Sequence, residues 1–345
     1  MINFYKDKKI FITGHTGFIG SWFCKILALA GGKITGYSLP PSQTPNLFEL
    51  SQIENDVNTI YADIRDLAAL KQAVLSVKPE IIIHLAAQSL VRQSYNNPVY
   101  TYETNVLGTV NILEAVRECK TVKSFLNITS DKVYKNIECE RGYKETDELN
   151  GQDPYSNSKS CSELITSSYK YSFFENSQTA LSTARLANVI GGGDFAADRI
   201  IPDAVRALQS KKELVLRNPN SVRLYQHIID AAFACLLIAK KQYENKSCEG
   251  NYNIAPEISD CLKTSKLADM FYSHFKNAKW IEHNNNNPYE TESLKIDASK
   301  IKKELCWQPR INIEKAISMT AQWVKAYLNG NNFNKIMNEQ INQYL

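Results

Sequence analysis

Apolar residues along the chain gather into two alternating kinds of block, short runs and longer stretches with a helical repeat. The first run, Lys9 to Thr13, meets a glycine-punctuated turn, Gly14 to Gly20, and then an apolar stretch, Ser21 to Ala30, that stops at Gly31-Gly32. Strand, turn and helix are the expected elements. The rhythm continues with strands over Ile34 to Tyr37 and Thr59 to Ala62, a helix over Leu67 to Val77 capped by Asp66, and a strand over Ile81 to Leu85. A helix over Val99 to Cys119, a strand over Ser124 to Thr129, a helix over Tyr155 to Phe174 and a strand over Ala180 to Leu186 follow. The run from Ile81 to Leu85 is apolar at nearly every position, as in a strand buried on both faces. Alternating strands and helices call for right-handed crossovers, so the expected class is α/β, a doubly wound parallel sheet of Rossmann type.

Beyond Asn188 the pattern changes. Gly191 to Gly193 and Pro202 break it, and only a short strand at Leu214 to Leu216 and helices over Ile228 to Lys240, Thr264 to His274, Ser299 to Leu305 and Ile313 to Leu328 are expected. In the last of these Ile317, Ala321, Val324 and Leu328 form one stripe. The expected organisation is a dinucleotide-binding domain over residues 1–187 carrying the catalytic groups, and a smaller α/β substrate lobe over residues 188–345 closing on it. Asn284 to Asn287 and the Asn-rich end from Asn329 read as solvated loop and tail.

Composition narrows the class without naming a partner. The net charge of +4 is scattered, with no Lys/Arg stack of the kind that binds nucleic acid or membrane. The N-terminus lacks the apolar core of a signal peptide, and the longest apolar run, Ala231 to Ala239, is too short to span a bilayer, so a cytoplasmic protein is expected. Eight dispersed cysteines show no metal-ligand spacing and are expected as reduced thiols, with no metal site.

Chemistry concentrates at the strand ends. Gly14, His15, Thr16, Gly17, Phe18, Ile19 and Gly20 make a dinucleotide fingerprint between strand and helix, where glycines permit a tight turn and free helical N–H groups face phosphate. The second strand ends in Gly36-Tyr37-Ser38-Leu39, without an acid for the ribose or an arginine for a 2′-phosphate, so this position leaves NAD and NADP both open. Asp63 and Ile64 after the third strand are placed to meet adenine, and Leu85, Ala86 and Ala87 after the fourth to lie close to cofactor. Tyr155 and Lys159, four apart at the start of a helix, share one face about 6 Å apart. An ammonium there favours tyrosinate and suits the phenol to take a proton from a sugar hydroxyl. Ser130 ends the preceding strand with a hydroxyl for the same oxygen, and Asp131 and Lys132 follow within reach of the same sugar.

These motifs resemble the extended short-chain dehydrogenase/reductase family, through GHTGFIG, the ADI at Asp63, HLAAQ at His84 to Gln88, TNVLGT at Thr104 to Thr109, and YSNSK. More closely, HLAAQSLVRQSY, NITSDKVY, ARLANVIGGGD, DRIIPD, RNPNSVRLYQH and LKIDASK are similar to its nucleotide-sugar 4,6-dehydratase branch, over Gly14 to Lys300. The resemblance implies bound NAD, with Gln88, Asn105, Tyr155 and Lys159 added to the cofactor residues, and a hexose oxidised at C4, dehydrated across C5 and C6, and reduced at C6. It makes Asp131 the acid for the departing C6 oxygen. Dehydratases of dTDP- and GDP-sugars carry Glu next, as the C5 base; here, as in the branch acting on CDP-linked hexoses, it is Lys132, which acts as base only when neutral. Gln88, Ser89 and Ser130 are implied at the hexose, Asn188 at sugar or phosphate, and Arg223, with Arg199 and Arg217, at the diphosphate. His227 is expected to cap or pack against the helix it opens.

The identity of the base rests on resemblance alone. Other nucleotide-hexoses or -heptoses, an epimerase or reductase using the same Tyr155 and Lys159, and a non-catalytic dinucleotide-binding regulator are the alternatives. Family members commonly dimerise through helices matching Val99 to Cys119 and Tyr155 to Phe174, which implies a homodimer, or a tetramer, with Tyr100, Tyr102, Leu107, Tyr169 and Phe173 as interface candidates. A place in deoxysugar and surface-polysaccharide biosynthesis is likewise implied.

Overall fold

The computed structural model describes residues 1–282 and 293–345. The expected alternation is present as β1 (Lys9–Thr13), β2 (Lys33–Ser38), β3 (Asn58–Tyr61), β4 (Ile81–His84), β5 (Ser124–Ser130) and β6 (Ala180–Leu186). Between them run helices Phe18–Leu29, Leu67–Val77, Gly108–Glu118 and Pro154–Tyr169. Pro98–Tyr102 leads into Gly108–Glu118 through a π turn at Glu103–Leu107, and a second π turn, Lys170–Phe174, extends the Tyr155 helix. Asp66 caps its helix, accepting from the Ala69 N–H at 3.0 Å. The first helix begins at Phe18 rather than Ser21. This draws Gly20 so close beneath the Gly14 carbonyl that a Cβ on it would lie 2.3 Å from that oxygen.

From residue 188 the chain adds β7 (Asn188–Ile190), helix Ile200–Ser210, β8 (Leu214–Leu216), β9 (Val222–His227) and helix Ile228–Glu244, then β10 (Asn251–Ile254). It goes on through β11 (Cys261–Lys263), helix Thr264–Tyr272, β12 (Trp280–Glu282), β13 (Ser293–Leu294) and helices Ser299–Leu305, Ile313–Leu328 and Phe333–Tyr344. The large sheet has the order β10-β6-β5-β4-β1-β2-β3, parallel throughout. Its order reverses between β1 and β4, where a doubly wound sheet opens a crevice at the strands' carboxyl ends. β7, β11 and β13 gather around β9, and β8 pairs with β12. The central strands are apolar on both faces and carry no exposure at Phe11, Ile12, Ile82, Ile83, Phe125 and Leu126. Burying each such side chain stabilises the fold by about 1.5–3 kcal/mol.

Three features depart from the sequence expectations. The boundary at residue 187 falls inside the sheet's own packing, because β10 lies beside β6, with Asn251 opposite Thr183, and helix Ile228–Glu244 packs on β5 and β6. Helix Ile200–Ser210 was hidden by Pro202, which a first helical turn tolerates because its N–H is not needed there. The Asn-rich end, expected as solvated tail, is a helix: Asn332 caps it by accepting from Lys335 N–H at 3.0 Å, and Met337, Ile341 and Tyr344 bury one stripe. Tyr344 Oη donates to buried Asp230 at 2.5 Å. Asn284 to Asn287 lie outside the described residues.

Other expectations resolve locally. His227 does cap, its Nδ1 accepting from the Ile229 N–H at 3.3 Å. Ile317, Ala321 and Val324 are buried, whereas Leu328 ends their stripe at 39% exposure. A Cβ on Gly192 would sit 2.0 Å from the Trp323 ring, so the glycine run is where the Trp323 helix meets the sheet. No described helix is long and apolar enough to cross a membrane. The eight cysteines are free, with Cys24, Cys119 and Cys235 buried in packing.

Candidate active site

A cleft of about 1030 Å³ runs along the carboxyl ends of the large sheet, between it and the second lobe. Its first half is built from backbone. Gly14 has φ +74°, and a Cβ on it would lie 2.7 Å from Ala86 N, so the turn after β1 and the loop after β4 nearly touch. Thr13 Oγ1 joins them: it accepts from Leu85 N–H and Ala86 N–H, both at 3.2 Å, and shares a 2.7 Å bond with His84 Nδ1. Burial lowers the His84 pKa to about 3, keeping the ring neutral. The free N–H end of helix Phe18–Leu29 therefore faces a narrow crevice suited to pyrophosphate.

Gly14, Thr16, Gly17, Phe18, Ile19, Gly20, Asp63, Ile64, Leu85, Ala86 and Ala87 all line this half. His15 does not: its ring lies beneath Gly36, with Nε2 3.2 Å from Thr59 Oγ1 and its edge on Phe48, and burial lowers its pKa to about 4. Asp63 both turns the chain, accepting from Arg65 N–H at 2.9 Å, and holds the Arg65 guanidinium at 2.7 Å, which pulls its carboxyl below the usual range. Asn105 stays behind the wall. It accepts from Gln88 N–H at 2.8 Å and donates to Gln88 O at 3.0 Å, fixing the loop rather than facing the cleft. The Gln88 amide is likewise turned inward, donating to Thr101 Oγ1 at 2.9 Å and accepting from Leu90 N–H at 2.5 Å.

At the middle of the cleft Ser130, Asp131, Lys132, Tyr155 and Lys159 come together. Asp153 starts the Tyr155 helix by accepting from Ser156 N–H at 2.9 Å, Pro154 fills its first turn, and Ser94 Oγ accepts from Tyr155 N–H at 3.1 Å. Lys159 Nζ donates to Ile128 O at 3.2 Å, and burial lowers its pKa to about 8 against the opposing pull of Glu163. Burial also raises the Tyr155 phenol, outweighing the Lys132 ammonium, a Ser130 hydrogen bond and the Arg199 guanidinium. This corrects the expectation of a phenol lowered chiefly by Lys159: helical spacing places a cation nearby but does not reveal how deeply the phenol is buried. Lys132 Nζ lies 2.9 Å from Asp131 Oδ1 and 3.3 Å from Asn188 Oδ1, while Asn188 Nδ2 reaches Asp131 Oδ2 at 3.4 Å. Asp131 is buried, and Lys132 keeps 28% of its side chain exposed.

The far half is built from charged side chains. Arg199 pairs with Asp194 at 3.1 Å and reaches Ser89 Oγ at 3.4 Å, bridging the lobes. Arg217 binds Asp198 at 2.5 Å, and Arg92 approaches the same carboxylate at 3.6 Å. Arg223 lines the same end and donates to Val222 O at 2.9 Å. Sequence reading missed Ser94, Arg92, Asp194 and Asp198. Asp153-Pro154 was a visible start signal; the charged partners carried none, because long-range folding brings them together.

A doubly wound sheet, a glycine turn at its switch point and a Ser-Tyr-Lys set at the end of β5 define an extended short-chain dehydrogenase/reductase. More narrowly, residues 11–320 match the family model described as GDP-mannose 4,6 dehydratase, and the chain belongs to that family. It is 37% identical to CDP-glucose 4,6-dehydratase of Salmonella typhimurium, over 99% of this chain and 98% of that one. It is 27% identical to dTDP-glucose 4,6-dehydratase of Shigella flexneri, over 93% and 94%. In fold it is similar to dTDP-glucose 4,6-dehydratase of Streptomyces venezuelae solved with NAD (TM-score 0.79, 22% identity, 93% and 98% covered). UDP-glucose 4-epimerase of Thermotoga maritima is similar too (TM-score 0.78, 20% identity, 92% and 99% covered).

Proposed function

We propose that this chain is an NAD-dependent hydro-lyase that converts CDP-glucose to CDP-4-dehydro-6-deoxy-glucose with loss of water. The observation that carries the reaction is the Asp131–Lys132 contact of 2.9 Å beside Ser130, Tyr155 and Lys159, which adds an acid and a base to a hydride-transfer site. Full-length similarity to the Salmonella enzyme supports the CDP-linked substrate. NAD fits the crevice on this chain's own terms, since at Gly14 and Gly20 any Cβ would collide with backbone. When bound there it supplies the hydride acceptor for C4 and the hydride donor for C6.

Ser130 and Tyr155 address the C4 hydroxyl, and Tyr155 takes its proton as tyrosinate, the form that burial disfavours and that the Lys132 charge, the Ser130 hydroxyl and the Arg199 charge favour, with Lys159 one helical turn behind the phenol. The C4 ketone acidifies the C5 proton. Elimination then requires neutral lysine and protonated aspartic acid, and the 2.9 Å contact lets one proton pass from the Lys132 ammonium to the Asp131 carboxylate without changing the net charge of the pair. Lys132 Nζ takes the C5 proton, the C5–C6 double bond forms, and Asp131 gives its proton to the C6 oxygen, which leaves as water. That step restores the ammonium–carboxylate pair. Asn188, bonded to both, holds them in register. Arg199, Arg217 and Arg223 suit the diphosphate.

Incubation with CDP-, dTDP-, UDP- and GDP-hexoses, followed by mass spectrometry, tests the reading: one water is lost from CDP-glucose, and product from none of the four defeats it. Solvent-deuterium exchange at C5 in Lys132→Ala and Lys132→Glu tests the base, and undiminished exchange in the alanine variant excludes the lysine. A homodimer in the cytoplasm completes the reading, supported by Leu107, Leu164, Tyr171 and Phe173, all more than half exposed on the two helical runs expected at such an interface. Light scattering tests it.

A further inference from the structure

We propose that the buried Glu163–Arg185 ion pair is a positioning element that locks the Tyr155–Lys159 helix and the Asp131–Lys132 turn into one register. The two charges lie 2.8 Å apart, with side chains only 1% exposed. Removing two charges from water costs several kcal/mol per ion before attraction and hydrogen bonds offset it, so such a pair is weak evidence for stability. Its connections lead to the reacting groups instead.

Glu163 stands two turns beyond Tyr155 and one beyond Lys159 on the same helix face. Its carboxylate accepts from Thr129 Oγ1 at 2.5 Å and Thr183 Oγ1 at 2.8 Å, so it is tied to β5 and β6 at once. Consecutive residues of β5 thereby receive the helix: Ile128 O accepts from Lys159 Nζ, and Thr129 Oγ1 donates to Glu163. A slip of one residue between strand and helix would break both. Arg185 carries the linkage in the other direction. Its Nη1 donates to Tyr134 Oη at 2.8 Å, and Tyr134 Oη donates to Asn253 Oδ1 at 2.6 Å. Tyr134 follows directly on the short turn Asp131–Val133.

The pair also sets the charge at the phenol's neighbour. Glu163 is the group that holds the Lys159 pKa up against burial. His84 of β4 also faces Lys159, but as it stays neutral above about pH 3, it adds no charge in the working range; the Tyr155 phenol lies one turn away on the same face.

The test uses the full chain with Glu163→Gln and Tyr134→Phe. NAD binding, titrated against pH without sugar, is expected to weaken on the alkaline side as Lys159 loses its proton, with a midpoint about one pH unit lower in Glu163→Gln. A folded Glu163→Gln protein with the wild-type midpoint overturns the proposal. If Glu163→Gln gives no cooperative melt, Tyr134→Phe decides. It leaves the ion pair intact and cuts only the branch to the Asp131 turn, so water loss is expected to slow about five- to tenfold relative to C4 oxidation in single turnovers. Equal rates for the two steps, relative to wild type, overturn it. This sugar-dependent arm rests on the dehydratase reading, whereas the NAD titration does not. A wild-type protein inert towards CDP-glucose would therefore sink that reading and leave the titration to judge the ion pair.

Discussion

The two halves of the cleft are made of different material. The crevice between β1 and β4 is backbone against backbone, shaped by absent side chains at Gly14 and Gly20 and laced by Thr13. The far half is side chain against side chain, with Arg199 on Asp194 and Arg217 on Asp198. A wall of main chain responds to substitution in an all-or-none way, because there is no rotamer through which a clash can relax. A wall of paired charges responds by degrees, each group having a partner and some solvent to turn to.

The largest effect should come from breaking the backbone half. In Gly14→Val the left-handed φ and a Cβ 2.7 Å from Ala86 N act together, and NAD affinity measured by calorimetry is expected to fall at least about 100-fold, equivalent to about 2.7 kcal/mol. Asp131→Asn, at the junction of the halves, keeps the shape and removes the carboxyl proposed as the acid. We expect kcat to fall about 10²- to 10³-fold with NAD affinity near wild type, a split that steady-state kinetics and calorimetry resolve. In the far half, Arg217→Ala is expected to raise the KM for CDP-glucose only about three- to tenfold, with kcat little changed. A collapse of kcat there would erase the contrast between the halves.

A probe that needs no substitution is acid. His84 and His227 titrate near 3 and His15 near 4 in the fold, below the ordinary 6.5. The unfolded chain therefore binds more protons between these values, and stability is complete above about pH 6.5 and lost as pH falls towards 3 to 4. Each histidine contributes about 1.4 kcal/mol per pH unit in that window. A melting temperature that holds steady from pH 7 to pH 4.5 would contradict the buried, neutral rings, His84 in the β1–β4 lacing above all.

The same contrast explains what could be read from residue order. A backbone site needs particular residues at adjacent positions, so the Gly14-to-Gly20 turn and its flanking strand and helix were legible, as were Tyr155 and Lys159 one helical turn apart. Partners in the charged half lie far apart in the chain, such as Ser89 and Arg199 or Asp131 and Asn188, and no local pattern announces them. Burial is equally non-local, which is why the direction of the Tyr155 shift was missed. The terminal helix was overlooked because the six asparagines from Asn329 onward outnumber the Met337, Ile341 and Tyr344 stripe that docks it.

The late return of β10 to the edge of β6 has a consequence for the growing polypeptide. Until Asn251 to Ile254 leave the ribosome, β6 offers a row of unpaired amides along a strand whose residues are all buried in the finished protein. Such an edge recruits other strands. A truncated product ending near residue 187 should therefore aggregate rather than fold, and nascent chains should call on a holdase for roughly the interval in which about 65 more residues are made, some 3 to 13 seconds at ordinary bacterial elongation rates.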